Sequence, residues 1–144
     1  MSIDAKQAIR NAIEAELAAE RFYRLLAEST DDEDSQAFLE EMAQQEKEHA
    51  KAIESMGAKV VEGDLPAHPT GEVEVIETLP AWRFVDDISL ADALEVALTA
   101  ERQAALYYDA IAGAFTGEVR KFFEDLAQCE EEHAARIVKR KAAD

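Results

Sequence analysis

Apolar residues recur along most of the chain at steps of three and four, the period of a helix with one buried face. One stripe runs Ile9, Ile13, Leu26; a second Leu39, Met42, Ile53, Met56; a third Leu90, Leu94, Phe115; a fourth Val119, Phe123, Leu126, Ile137. The pattern breaks at Ser29–Glu33, at Gly113–Gly117, and over one longer interval that holds Gly57, Gly63, Pro66, Pro69, Gly71 and Pro80. Glycine and proline interrupt regular structure, so these breaks predict four helices over about residues 3–29, 33–56, 89–114 and 117–141, with a connection over 57–88. Ser89 followed by Asp92 reads as a capping box that starts the third helix. Gly57 stands where a left-handed cap would end the second. Residues 73–79 read as a short extended segment of the connection, with Trp82, Phe84 and Val85 pinning it to the helices. The expected architecture is all-α: a single domain, a four-helix bundle with a long crossover between helices 2 and 3.

The two halves repeat each other. Glu46–Ala50 (EKEHA) matches Glu130–Ala134 (EEEHA), and Glu16–Tyr23 matches Glu101–Tyr108. Phe38 aligns with Phe122, Leu39 with Phe123 and Ile53 with Ile137. A repeated helix pair implies a bundle with a pseudo-twofold axis.

Composition narrows the function. Asp and Glu number 32 against 15 Lys and Arg, a net charge of −17. Binding phosphate needs surplus cations, so the chain is not expected to bind nucleic acid or an anionic membrane surface unaided. Hydrophobic residues make up 48%, which is enough for a core and argues against acidic disorder. The N-terminal stretch MSIDAKQAIRNAIEAEL carries acids from Asp4 onward and does not read as a signal peptide. No run approaches the roughly 18 apolar residues of a membrane helix, so a cytoplasmic location is expected. A single cysteine, Cys129, excludes an internal disulfide, a four-cysteine rubredoxin-type site and a Cys-x-x-Cys pair.

Polar residues interrupt the stripes at one level. Glu46 and His49 sit mid-stripe in the second helix, Glu130 and His133 in the fourth, Glu16 in the first and Glu101 in the third. A buried carboxylate costs several kcal/mol unless paired or metal-bound. Four at one height need more positive charge than two histidines supply, and two divalent cations balance them. Glu and His three residues apart point the same way from a helix. At about 1.5 Å rise per residue, antiparallel helices bring all six side chains level. Glu20, one turn from Glu16, competes for the first-helix position. Glu16 is preferred because it aligns with Glu101 and precedes Tyr23 as Glu101 precedes Tyr108. Glu14 and Glu95 read as solvated, His68 as a surface residue, and Cys129 as a poor candidate ligand because its repeat counterpart is Gln45.

The arrangement resembles the ferritin-like di-iron carboxylate proteins, in which two helices give one Glu each and two give Glu-x-x-His. In detail it resembles a rubrerythrin-type domain, with Glu followed by Tyr seven residues on, twice, and Glu-x-x-His-Ala, twice. The resemblance implies that Glu16 and His49 bind one iron, Glu101 and His133 the other, and that Glu46 and Glu130 bridge them. Tyr23 and Tyr108 would orient ligand carboxylates by hydrogen bonding. It implies two iron ions, with manganese or another divalent metal also suited to carboxylate and imidazole. Two departures stand out. Rubrerythrins usually carry a further Glu three residues before the third-helix ligand, where this chain has Leu98. These residues hold one cysteine and so no rubredoxin-like site, and electrons are expected from an external donor or from Fe²⁺ itself.

Three functions follow as expectations. The first is a non-haem di-iron oxidoreductase that reduces hydrogen peroxide, or O₂. The second is a ferroxidase or iron-handling protein with Fe²⁺ as substrate, although a ferritin-type shell would need a fifth short helix. The third is a metal-stabilised interaction module without turnover. The length of the connection also permits a homodimer, including one that exchanges helix pairs.

Overall fold

A computed structural model describes residues 5–60 and 88–143. They form α1 (Ala5–Ser29), α2 (Glu33–Val60), α3 (Leu90–Ala114) and α4 (Gly117–Ala143), with no strand among the described residues. The expected extended segment 73–79, the anchors Trp82, Phe84 and Val85, and His68 lie outside the described residues.

Helices α2 and α3 start where a side chain satisfies a free N–H group of the first turn. Asp32 caps α2: its Oδ2 accepts from the Ser35 N–H at 3.0 Å and from the Ser35 hydroxyl at 2.6 Å. Ser89 caps α3, its Oγ accepting from the Asp92 N–H at 3.1 Å, as the sequence predicts. The α3–α4 turn is tight because Gly117 takes φ 68°, a conformation costly for any residue with a Cβ.

Gly57 does not end α2. The helix continues to Val60, and Gly57 is an interior, buried position. A Cβ built there would lie 2.7 Å from Ile9 Cγ2. The glycine serves close approach between α1 and α2, not a cap, and α2 extends one turn past the expected residue 56.

Helices α1 and α2 pack closely as one hairpin, and α3 and α4 as another. The hairpins meet through two apolar clusters. One joins Ile9 and Ile13 of α1 to Ile53 of α2, Tyr107, Tyr108 and Ile111 of α3, and Phe123 and Leu126 of α4. The other joins Phe22, Tyr23 and Leu26 to Leu39 and Met42, to Leu94 and Leu98, and to Ile137. Each fully buried Leu, Ile or Phe contributes about 1.5–3 kcal/mol. The start of α1 shares a cluster with the end of α2, and the start of α3 with the end of α1. Therefore α2 ends at one end of the bundle and α3 begins at the other, which is the topology of a crossover. The polar residues of the stripes lie between the clusters.

Candidate metal centre

Four carboxylates occupy the layer between the apolar clusters. Glu16, Glu46, Glu101 and Glu130 are each at most 2% exposed. One comes from each helix, because in each the mid-stripe position is a Glu. His133 is also buried, and His49 is half-buried.

The two histidines stack, with ring centroids 5.0 Å apart and planes within 7° of parallel. His49 Nδ1 lies 3.7 Å from Glu16 Oε1 and 3.7 Å from Glu130 Oε1. His133 Nδ1 lies 2.6 Å from Glu46 Oε1, 3.6 Å from Glu101 Oε2 and 3.9 Å from Glu130 Oε2. His49 is thus equally near Glu16 and Glu130, and His133 is nearest Glu46, with Glu101 next. Donor atoms of Glu46, His49, Glu130 and His133 all fall within 4.8 Å of one another.

Two tyrosines reach into this layer from opposite hairpins. The Tyr23 hydroxyl donates to Glu101 Oε1 at 2.8 Å, and the Tyr108 hydroxyl approaches Glu16 Oε1 at 3.4 Å. Tyr23 meets Glu101 while Glu16 meets Tyr108, so α1 and α3 run antiparallel. The seven-residue spacing within each helix serves its partner helix. Burial, with the charges of Glu101 and Glu46 behind it, raises the Tyr23 pKa well above the ordinary phenol value. Burial and then Glu16 do the same for Tyr108. Both hydroxyls keep their protons and remain donors.

The carboxylates are strongly perturbed. Burial first, and then the neighbouring Glu46, pushes Glu16 up to about 8. Burial, then Glu16, pushes Glu130 to about 8. Glu46 and Glu101 rise well above the usual carboxylate range, through burial and mutual repulsion with Glu130. For His49, burial opposes the charged form, but the Glu130 and Glu16 carboxylates outweigh it and raise the pKa to about 11. The protein without metal therefore holds protons where cations would relieve the same repulsion.

Unpaired atoms test whether the residues fit a metal. Both oxygens of Glu46, Glu101 Oε2, Glu130 Oε1, His49 Nδ1 and His133 Nδ1 are buried without a well-aligned hydrogen bond, although His133 Nδ1 and Glu46 Oε1 stand 2.6 Å apart as an ion-pair contact. Leaving a buried polar atom unsatisfied costs about 1–3 kcal/mol, more for a charged group. Here such atoms converge on one space, and all are carboxylate oxygens or imidazole nitrogens, donors suited to iron, manganese or zinc. The set fits a metal site.

The competing positions lie elsewhere. Glu20 pairs with Arg24 at 2.9 Å, Glu14 with Arg10 at 2.6 Å, and Glu95 with Lys141. Cys129 is half-buried and outside the converging group. Leu98 packs in the apolar cluster around Phe22. The sequence reading missed the polar bridge between α2 and α4, in which the Arg136 Nη1–H donates to Gln45 Oε1 at 2.7 Å. Aligning the repeats would have flagged it, since Arg136 occupies the position of Ala52.

The sequence matches the Rubrerythrin family over residues 7–89 and 92–142. No curated protein matches it. Among solved structures, a hypothetical protein from Pyrococcus furiosus is similar at 23% identity and TM-score 0.75, over 97% of this chain and 89% of that one. A ferritin-like diiron-carboxylate protein from Thermotoga maritima is similar at 21% identity and TM-score 0.73, over 98% of this chain and 96% of that one. At these identities the structures establish the shared fold. Among the described residues no helix is long and apolar enough to cross a membrane.

Proposed function

The chain belongs to the rubrerythrin family, whose fold here is that of the ferritin-like di-iron carboxylate proteins, and from that premise we propose that it is a di-iron oxidoreductase that reduces hydrogen peroxide. One observation carries the reading: six carboxylate and imidazole side chains, all buried but the half-buried His49, converge from all four helices, and five of them (Glu46, His49, Glu101, Glu130 and His133) present atoms with no hydrogen-bond partner. In this reading Glu16 and His49 hold one iron, Glu101 and His133 the other, and Glu46 and Glu130 lie between the two. When bound, two ferrous ions supply the two electrons that take H₂O₂ and two protons to two waters, and an external one-electron carrier restores them. Manganese would suit the same donors.

The chain's own residues prepare the site. The apolar clusters on both sides keep bulk water from the layer, which strengthens every charge interaction inside it. Tyr23 holds one oxygen of Glu101 and leaves the other free. Tyr108 approaches Glu16 from the opposite hairpin at 3.4 Å. Such hydrogen bonds fix ligand orientation and typically matter 10- to 100-fold in metal affinity.

A second reading takes Fe²⁺ as the substrate of a ferroxidase. The surplus of acid and the partial exposure of His49 favour it, since both help cations reach the layer. Anaerobic loading with Fe²⁺ followed by rapid mixing separates the two. Peroxide reduction predicts saturation at two irons per chain and much faster oxidation by H₂O₂ than by O₂. Oxidation at least as fast by O₂, with uptake well beyond two irons, would reject it for the second reading.

A further inference from the structure

The repeat makes each half of the bundle a control for the other. Across the seam between α2 and α4, the repeat pairs Phe38 with Phe122, Gln45 with Cys129, His49 with His133, Ala52 with Arg136 and Met56 with Arg140. At 100° per residue all ten fall on the edges where these two helices face each other. The pseudo-twofold axis relates the half of the seam over His133 to the half over His49.

The half over His133 is closed. Arg136 bonds to Gln45 across the seam and pairs with Glu41 at 3.2 Å. Arg140 donates to Ser35 Oγ at 2.8 Å and lies 3.3 Å from Asp32 Oδ2. Both guanidinium groups lie over the Phe38 ring, at 5.7 and 5.8 Å from its centroid. Beneath this cover the His133 side chain is 6% exposed.

In the half over His49 the repeat puts Phe122 at the position of Phe38, but it supplies no counterpart of the cover. The arginine positions hold Ala52 and Met56, both exposed, and Cys129 replaces the glutamine. Alanine cannot reach across the seam, and neither residue carries charge. Beneath them the His49 side chain is 20% exposed, against 6% for its counterpart. Cys129 lies within electrostatic range of His49, Glu16 and Glu46.

We propose that the α2–α4 seam beside His49, lined by His49, Ala52, Met56, Phe122 and Cys129, is the entrance through which divalent cations reach the carboxylate layer, and that the Gln45–Arg136 bridge closes the equivalent path on the other side. The proposal rests on the reading of that layer as a metal centre. The asymmetry is chiefly steric: the two guanidinium groups that span the closed half are each paired with a carboxylate, Glu41 and Asp32, and the open half has Ala52 and Met56 in their place.

The test transplants the bridge. Ala52→Arg with Cys129→Gln rebuilds the closed half over His49 without altering any proposed metal-binding side chain. Metal-free protein is mixed with Co²⁺ in a stopped-flow instrument, and the growth of the Co²⁺ ligand-field bands gives the loading rate and final stoichiometry. The double variant should load at least tenfold more slowly and reach the wild-type endpoint. Arg136→Ala should load no more slowly than wild type. A second version avoids new folding demands: folded wild-type protein is labelled at Cys129, its one cysteine, with a bulky maleimide, and Cys129→Ser treated identically is the control. Labelling should slow loading by a similar factor. Wild-type rates in both the double variant and the labelled protein would overturn the entrance. No Co²⁺ uptake by the wild type would instead overturn the metal centre.

Discussion

Replacing Glu16 by glutamine should change how stability depends on pH in the metal-free protein. Glu16 is buried to 2% exposure, and its pKa rises from 4.5 to about 8, first through burial and then through repulsion by Glu46. Between those values the folded chain holds a proton that the unfolded chain has released. Its contribution is complete below pH 4.5 and is lost as pH rises through 8. The slope is about −1.4 kcal/mol per pH unit for one group. Over about 3.5 units this comes to ~5 kcal/mol, comparable with the whole stability of many domains. Burial is nearly complete, so solvent screening reduces the figure little, and coupling among the carboxylates makes it an upper estimate. His49 adds the same sign, its contribution being present below pH 6.5 and lost as pH rises towards 11. Glutamine is close to a protonated Glu in shape and cannot ionise. Glu16→Gln should therefore flatten the decline between pH 5 and 8 by about 1.4 kcal/mol per unit. For a chain of this size that is ~3–6 °C of Tm per pH unit. Urea unfolding at half-unit pH steps in chelator measures it, and the comparison cancels the general repulsion of an acidic chain. Equal slopes in variant and wild type, or a wild-type stability that rises from pH 5 to 8, would show that the folded chain does not hold the Glu16 proton.

Three further outcomes follow from the same structure. Metal uptake at pH 7 should release protons from Glu16, Glu130 and His49, so that affinity rises with pH; weakly buffered calorimetry in buffers of different ionisation enthalpy counts them, and uptake without release would contradict the raised pKa values. Tyr23→Phe removes the 2.8 Å bond to Glu101 and should weaken metal binding 10- to 100-fold, measured by competition with a chelator, with a loss of about 1 kcal/mol in stability. Gly57→Ala should destabilise by about 1–3 kcal/mol in denaturant unfolding, because the clash with Ile9 outweighs the helix-propensity gain of up to ~1 kcal/mol.

Much of this was legible in the residues. Helical periodicity located α1–α4, and the capping pattern at Ser89 located the start of α3. The carboxylate layer was legible because Glu and His occupy positions where Leu would be the inexpensive choice. Gly57 was misread for a physical reason: the same absent Cβ serves a left-handed cap and a close helix approach, and only the position of Ile9 tells them apart. The sequence aligned Glu16 with Glu101 and so preferred it to Glu20, while the pairing of Glu20 with Arg24 needed three dimensions. The closed and open halves of the seam were present in the repeat as Arg136 against Ala52. An arginine on an acidic helix reads as solvated charge until Gln45 and Phe38 are seen beneath it.

In the proposed function, Glu16, Glu46, His49, Glu101, Glu130 and His133 hold two metal ions. Anomalous diffraction at the iron edge, from crystals grown anaerobically with Fe²⁺, tests it most directly. Two peaks are expected within the carboxylate layer, one beside Glu16 and His49 and one beside Glu101 and His133. A layer with no peak, or iron held by Glu20 or Cys129 instead, would contradict it.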